Sequence, residues 1–402
     1  MGKQVIQFPK QIGMLFTILL ITSILLPPLL LIPGLPKFHS SEFLLPLLML
    51  SIGLNFSSKG FEKLRYDLLI QGSLAIVIVV SMVFNHRIAQ LRDWFEIFEV
   101  IKYVVLFLFV SQFAHLIDVR KVFKGVFIAL VIFNFFQYFD WFEFNNIVEI
   151  YYGSDIQVST FGLNSLGQPD TKRLLGTLGN PNNNGILFLF FSIFFFPNRD
   201  EKLVNSIFFL ASVALLLMCQ SRTTTVSFTA VFFLGAYLKN LSIKQGLFYL
   251  TYFLLIYLLL WTGGNSYLKT LSNNPMKESS VKGRMETFQI LGKMIIKSPI
   301  IGYGPNKEFF DKYGLNSDNE YILYTWRYGF LGLFLYLSWL FRLAFQSWKS
   351  RLTSEGINLL LFILGICIST LTNSPLGNPY LLFLLALSAG IFMNRQLNES
   401  TS

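Results

Sequence analysis

Two cysteines and three histidines are all that 402 residues offer to redox or metal chemistry. Cys219 ends an apolar run and Cys367 lies inside another, with neither metal-ligand spacing nor the pattern of a disulfide framework. His39, His86 and His115 are scattered and form no metal motif. Charge is scarce too. Asp, Glu, Lys and Arg make up 13% of the chain, where a soluble globular domain carries about 25%. There is no P-loop, no GxGxxG opening a helix in a βαβ unit, and no obvious internal repeat.

What is present is apolar. Hydrophobic residues make up 53% and aromatics 17%, so the composition is that of an all-α integral membrane protein. A spanning helix needs about 20 mostly apolar residues. Twelve segments qualify with soft boundaries: 13–33, 41–57, 67–84, 97–118, 122–140, 184–197, 203–219, 223–238, 246–262, 321–341, 356–373 and 379–394. The fold expected is a single polytopic membrane domain over 1–402, with about 12 transmembrane helices. The first run is too long for the apolar core of a cleavable signal peptide, about 7–15 residues. It is expected to remain as the first span.

Lysine and arginine in short loops set orientation. With the N-terminus inside, sixteen of them fall on cytoplasmic segments and span edges, against four (Lys37, Arg87, Arg92 and Arg222) in short external loops. Both termini are therefore expected on the cytoplasmic side. The net charge of +10 is generic for such a chain and names no partner. Two longer segments then lie outside: 141–183, and a large loop, 263–320, between the ninth and tenth spans. Every cytoplasmic loop is short, which leaves no room for a cytosolic nucleotide-binding domain. Within the large loop, Val281, Met285, Phe288, Leu291 and Ile295 recur at spacings of three and four, one face of a helix. That helix either lies on the membrane interface or packs on the bundle. Pro299 stops it, and IIGYGPNKEF follows as a turn carrying Tyr303.

Three arginines are expected near the outer surface: Arg173, Arg222 and Arg284. A guanidinium presents a fork of donors matched to phosphate and stays charged. Each can equally be an interfacial arginine reaching for water. Arg222 is the least easily explained that way. Ser221 is placed to cap the next helix, which sets Arg222 in a first turn, where the helix dipole disfavours a cation. The run GNPNNNG, with Asn182, caps a helix or binds sugar hydroxyls.

In GLNSDNEYILYTWRYGFLG, Ser317 with Glu320 has capping-box spacing, and Asp318 suits a first turn. The functional reading is that Asp318, with Glu320 in reserve, is a general base beside an anion site. Glu320, Tyr324 and Arg327 share one stripe, and Arg327 lies about two turns into the membrane, where an ionisable group is a functional candidate. Asn319 and Tyr303 join Arg173, Asn182, Glu320 and Arg327 as substrate-contacting candidates. Glu99 and Lys102 read as a structural i, i+3 pair.

Taken in order, RLLGTLGNPNNNGILF, QSRTTTV, GRMETFQILGKMIIKSPIIGYGPNKEF and SDNEYILYTWRYGFLG resemble the O-antigen ligase and O-antigen polymerase superfamily of bacterial surface-polysaccharide assembly. These signatures cover about residues 170 to 335. The resemblance implies a glycan donor carried on undecaprenyl diphosphate and transferred to an acceptor hydroxyl on the outer face of the inner membrane. It implies that Arg222 and Arg284 bind the diphosphate. In the ligases a histidine before an asparagine is thought to activate the acceptor. Here Asp318 stands in its place before Asn319, which points toward a polymerase joining lipid-linked repeat units. The alternatives are a ligase acting on a different acceptor and a flippase for lipid-linked oligosaccharides. The partners expected are lipid-linked oligosaccharides, membrane lipids and a chain-length regulator, with no nucleic acid. No cofactor or metal is expected.

Overall fold

A computed structural model describes residues 8–29, 38–55, 58–85, 90–153, 173–199, 206–262, 279–313 and 318–399. Among these there is no β-strand; one isolated antiparallel bridge joins Leu29 and Phe38. The α-helices run α1 Pro9–Leu25, α2 Ser40–Leu54, α3 Ser58–Phe84, α4 Leu91–Phe113, α5 Val119–Phe139, α6 Phe144–Tyr151, α7 Pro181–Phe194, α8 Ile207–Met218, α9 Arg222–Leu238, α10 Ile243–Thr262, α11 Ser279–Lys297, α12 Lys307–Tyr313, α13 Glu320–Lys349, α14 Ser354–Ser369 and α15 Pro379–Glu399.

Each of the twelve apolar segments is a helix, but their lengths differ. Among the described residues, six helices are long and apolar enough to cross a membrane: α3, α4, α5, α10, α13 and α15. Shorter apolar helices are α1, α2, α8 and α14. At 1.5 Å per residue the 12 residues of α8 reach about 18 Å, short of the roughly 30 Å of hydrocarbon. By length and composition the described residues hold six candidate spans, and the count of about twelve is not confirmed. The expected first span also ends early. Pro27 forces Leu26 to extended backbone (φ −82°, ψ 143°), so α1 stops at Leu25.

The core lies where α4 packs against α15, with α2 and α3 beside α4, and α13 and α14 closing the other side. Small residues allow the closest approaches. A Cβ on Gly390 would lie 2.6 Å from Val110 of α4, and one on Gly365 would lie 2.7 Å from Leu189 of α7.

One break in a helix shapes the site. Inside α13, Gly329 takes φ 65° and ψ −172°, which interrupts the helical ladder. The turn after α11 repairs it from outside. Tyr303 N donates to Trp326 O at 3.0 Å and Gly304 N to Arg327 O at 2.7 Å. In return, Phe330 N donates to Pro299 O at 2.7 Å and Leu331 N to Ile300 O at 3.4 Å. Backbone groups buried at membrane depth must be bonded, so IIGYG and the break belong together. A Cβ on Gly329 would sit 2.0 Å from Ile300 O. The expected amphipathic helix is α11, packed on α13 with Leu291 fully buried. Met285 of the same expected face is half exposed, and the side chain of Val281 lies outside the described residues.

Candidate active site

The start of α13 is the centre of the site. Asn319 is the residue that caps it: Ile322 N donates to Asn319 Oδ1 at 3.0 Å. The expected capping box is therefore corrected. Glu320 sits at the first helical position, and its carboxylate turns to the single turn Pro375–Gly377, where Leu376 N donates to Glu320 Oε2 at 3.1 Å. Ser317, the other half of that box, lies outside the described residues. Asn319 Nδ2 also donates to Leu371 O at 2.9 Å, and Glu320 N to Thr370 O at 3.1 Å. Those two bonds seat the helix start on the end of α14. Asp318, just outside the cap, accepts from Arg284 Nε at 2.8 Å. Neither side chain is buried, at 32% exposure for Arg284 and 42% for Asp318.

The end of α14 also meets α9. Ser221 caps α9 as the sequence suggests, accepting from Thr224 N at 3.4 Å, and Arg222 occupies the first helical position. The Thr223 and Thr372 hydroxyls are hydrogen-bonded to each other. Leu371 and Thr372, adjacent residues, thus tie the starts of α13 and α9 together. Arg222 and the Arg284–Asp318 pair come to the same end of the bundle.

Arg173 is nearly buried, at 5% exposure. Its Nε donates to Cys219 O at 3.0 Å and its Nη2 to Asn182 Oδ1 at 2.9 Å. It therefore braces the turn that delivers Ser221 and Arg222. Asn182 is engaged by that arginine, while the cap of α7 is Asn180, which accepts from Asn182 N at 2.9 Å. Tyr303 stacks on Trp326 with ring centroids 5.6 Å apart, and its hydroxyl donates to Met294 O. Its place is inside the turn that bonds to the broken helix.

A second group of residues lines a cavity of about 400 Å³. Glu320, Tyr324 and Arg327 line it, one stripe of α13 as the spacing predicts. Glu96 of α4 lines it as well. Arg327 Nη1 lies 3.3 Å and Lys307 Nζ 3.0 Å from Glu96 Oε1, and Tyr328 OH donates to Glu96 Oε2 at 3.3 Å. The arginine buried in the membrane expected from sequence has a carboxylate partner, as such groups require. At the rim, burial raises the Tyr152 phenol above its ordinary range, which keeps it a donor, here to Leu25 O at 2.9 Å. Glu99 and Lys102 do pair, at 2.6 Å, and Lys102 also holds Glu42 at 2.9 Å.

Sequence reasoning missed Glu96, Lys307 and Gln71. Asp93, Glu96, Glu99 and Lys102 recur every three residues in α4, a signal that could have found Glu96. For Gln71 and Lys307 no local signal exists. Among the described residues, no group of three His, Cys, Asp or Glu is arranged to hold a metal ion.

A protein-family model described as O-Antigen ligase matches residues 207–337, which is 131 of the 402 residues. The match runs from the start of α8 into α13 past the break. It takes in every candidate residue except Arg173 and Asn182. No curated protein matches the chain. The family match, spanning the segment that carries Arg222, Arg284 and Asp318, supports membership of the O-antigen ligase and O-antigen polymerase superfamily.

Proposed function

We propose that the chain is a polysaccharide polymerase of this superfamily. It would transfer a glycan from an undecaprenyl-diphosphate-linked donor to a sugar hydroxyl of a second lipid-linked repeat unit, on the outer face of the membrane. The observation that supports this reading is that the helix start carrying Arg222 and the one beside the Arg284–Asp318 pair are both bonded to the adjacent residues Leu371 and Thr372.

In this reading the acceptor hydroxyl oxygen attacks the anomeric carbon of the donor. The bond from that carbon to the diphosphate oxygen breaks, and the lipid diphosphate leaves with the electron pair. Arg222 and Arg284 supply fixed positive charge where negative charge grows, which needs no reorganisation during the step. The hydroxyl proton passes to Asp318. Arg173 holds the turn that carries Arg222 and need not touch the substrate.

The Arg284–Asp318 pair adds a coupling. A diphosphate bound to Arg284 competes with the Asp318 carboxylate for the same guanidinium. Donor binding then loosens the base from its partner only when there is a reaction to perform.

The deciding experiment compares surface and lipid-linked glycans of the producing cells with and without the gene. The expected result is collapse of a ladder to single repeat units outside the membrane. Long chains retained on the lipid carrier would mean a ligase, the activity in the family's description. Single units stranded inside would mean a flippase.

A further inference from the structure

The cavity beside the start of α13 differs in chemistry from the arginine cluster. None of Arg173, Arg222, Arg284 and Asp318 lines it. Among the buried polar atoms of its lining residues that have no hydrogen-bond partner are Glu320 Oε1 and Gln71 Nε2. The two side chains come from α13 and α3, with exposures of 1% and 3%. One is an acceptor and the other a donor. Leaving such groups unsatisfied in a membrane protein is costly, and a helical bundle of this sequence has apolar residues in plenty to put there instead.

The remaining lining narrows the occupant. The charge of Glu96 is already met by Lys307 and Arg327. Glu320 is left as a carboxyl group with one bonded and one unbonded oxygen. A diphosphate would have to draw Lys307 and Arg327 away from Glu96, and a lipid chain would leave both polar atoms unsatisfied. A hydroxyl both donates and accepts, so sugar hydroxyls can serve Glu320 and Gln71 together. The rings of Tyr324, Trp339 and Tyr380 line the same space and offer apolar faces to the C–H side of a sugar. A volume of about 400 Å³ lies within the range of small-molecule sites.

The geometry points to this cavity as a binding site for an uncharged sugar, with Glu320 and Gln71 as its hydrogen-bonding residues. Resting on the polymerase reading, the occupant is the terminal sugar of the acceptor glycan. Glu320 is then a specificity residue, and the proton passes to Asp318, two residues away.

The test uses the full-length protein in lipid nanodiscs. The probe is the lipid-free oligosaccharide released by mild acid from the cells' lipid-linked glycan, with inorganic diphosphate as competitor. Trp339, on the cavity wall, allows tryptophan fluorescence to report occupancy. The expected result is saturable binding that diphosphate does not displace. Gln71→Leu and Glu320→Gln should each weaken it about tenfold, the loss of one good hydrogen bond. Leu323→Trp, which fills the space, should abolish it. In a chain-growth assay, Gln71→Leu should raise the acceptor KM with kcat little changed, which a merely structural defect would not do. Absence of binding, displacement by diphosphate, or indifference to all three substitutions overturns the inference. Chain growth by wild type without oligosaccharide binding sinks the cavity but leaves the polymerase reading standing. Binding sensitive to these substitutions, with no effect of the gene on chain length, does the reverse.

Discussion

Arg284 Nε lies 2.8 Å from Asp318 Oδ2, joining α11 to the residue just outside the cap of α13. The pair is partly open to solvent, so as a structural bond it contributes about 1 kcal/mol at most. In the proposed reading its importance is functional. Arg284→Ala and Asp318→Asn should each cut chain growth by about a hundredfold or more, the usual scale for a lost general base, while shifting thermal unfolding little. Detergent-solubilised melting curves beside a glycan ladder check both parts. Intact polymer formation by Asp318→Asn would remove Asp318 from the base role.

The cap of α13 can be separated from its tether. Asn319→Ala loses both the bond from Ile322 N and the donation to Leu371 O, and should cost about 1–2 kcal/mol. Asn319→Asp keeps the cap and loses only the donor. If seating on α14 matters for the site, Asn319→Asp melts nearly like wild type yet transfers more slowly. Equal rates for Asn319→Asp and wild type would show that the tether is dispensable.

The break in α13 is the most demanding backbone position. Gly329→Ala must accept a positive φ and a Cβ 2.0 Å from Ile300 O. A loss of about 2 kcal/mol or more is expected from the combination of strain and displaced turn. The measurement is the melting temperature in detergent, with Gly72→Ala on α3, where a Cβ would meet nothing within 4 Å, as the companion variant that should melt like wild type.

At another site on α13, Arg342 holds buried Asp67 of α3 through two bonds, 3.0 and 3.3 Å long. Asp67 is 1% exposed. Arg342→Met leaves that carboxylate uncompensated and should cost about 3–5 kcal/mol. The double variant Asp67→Leu with Arg342→Met should recover most of it. A double variant no more stable than the single one would show that packing, not charge, is at stake.

Orientation has a direct assay. In a background carrying Cys219→Ala and Cys367→Ala, Lys282→Cys on α11 should react with an impermeant maleimide in intact cells. Lys121→Cys at the start of α5 should react only after permeabilisation. The opposite pattern would invert the expected topology and move the site to the cytoplasmic face.

Much of this architecture is local and therefore legible in the chain. Runs of apolar residues become helices because backbone groups in lipid must bond within their own segment. Ser221 announces the start of α9, and the spacing of Glu320, Tyr324 and Arg327 puts them on one stripe. Glycine marks the turn at Gly302 and Gly304, whereas the stop at Leu25, ahead of Pro27, falls inside the span expected over 13–33. The motif from Arg222 to Arg327 carries enough pattern to indicate the family.

What only the tertiary structure decided is which groups share a space. Glu96 meets Arg327 across 231 positions of chain, and Gln71 faces the same cavity as Glu320 from a helix whose sequence advertises nothing. Asn182 and Tyr303 look exposed and available in the sequence, yet one is taken by Arg173 and the other by a turn that mends a broken helix. Helix periodicity is a property of neighbours three and four residues apart. Partners, cavities and the helices too short to span alone are set by how separate segments pack, and no local spacing encodes that.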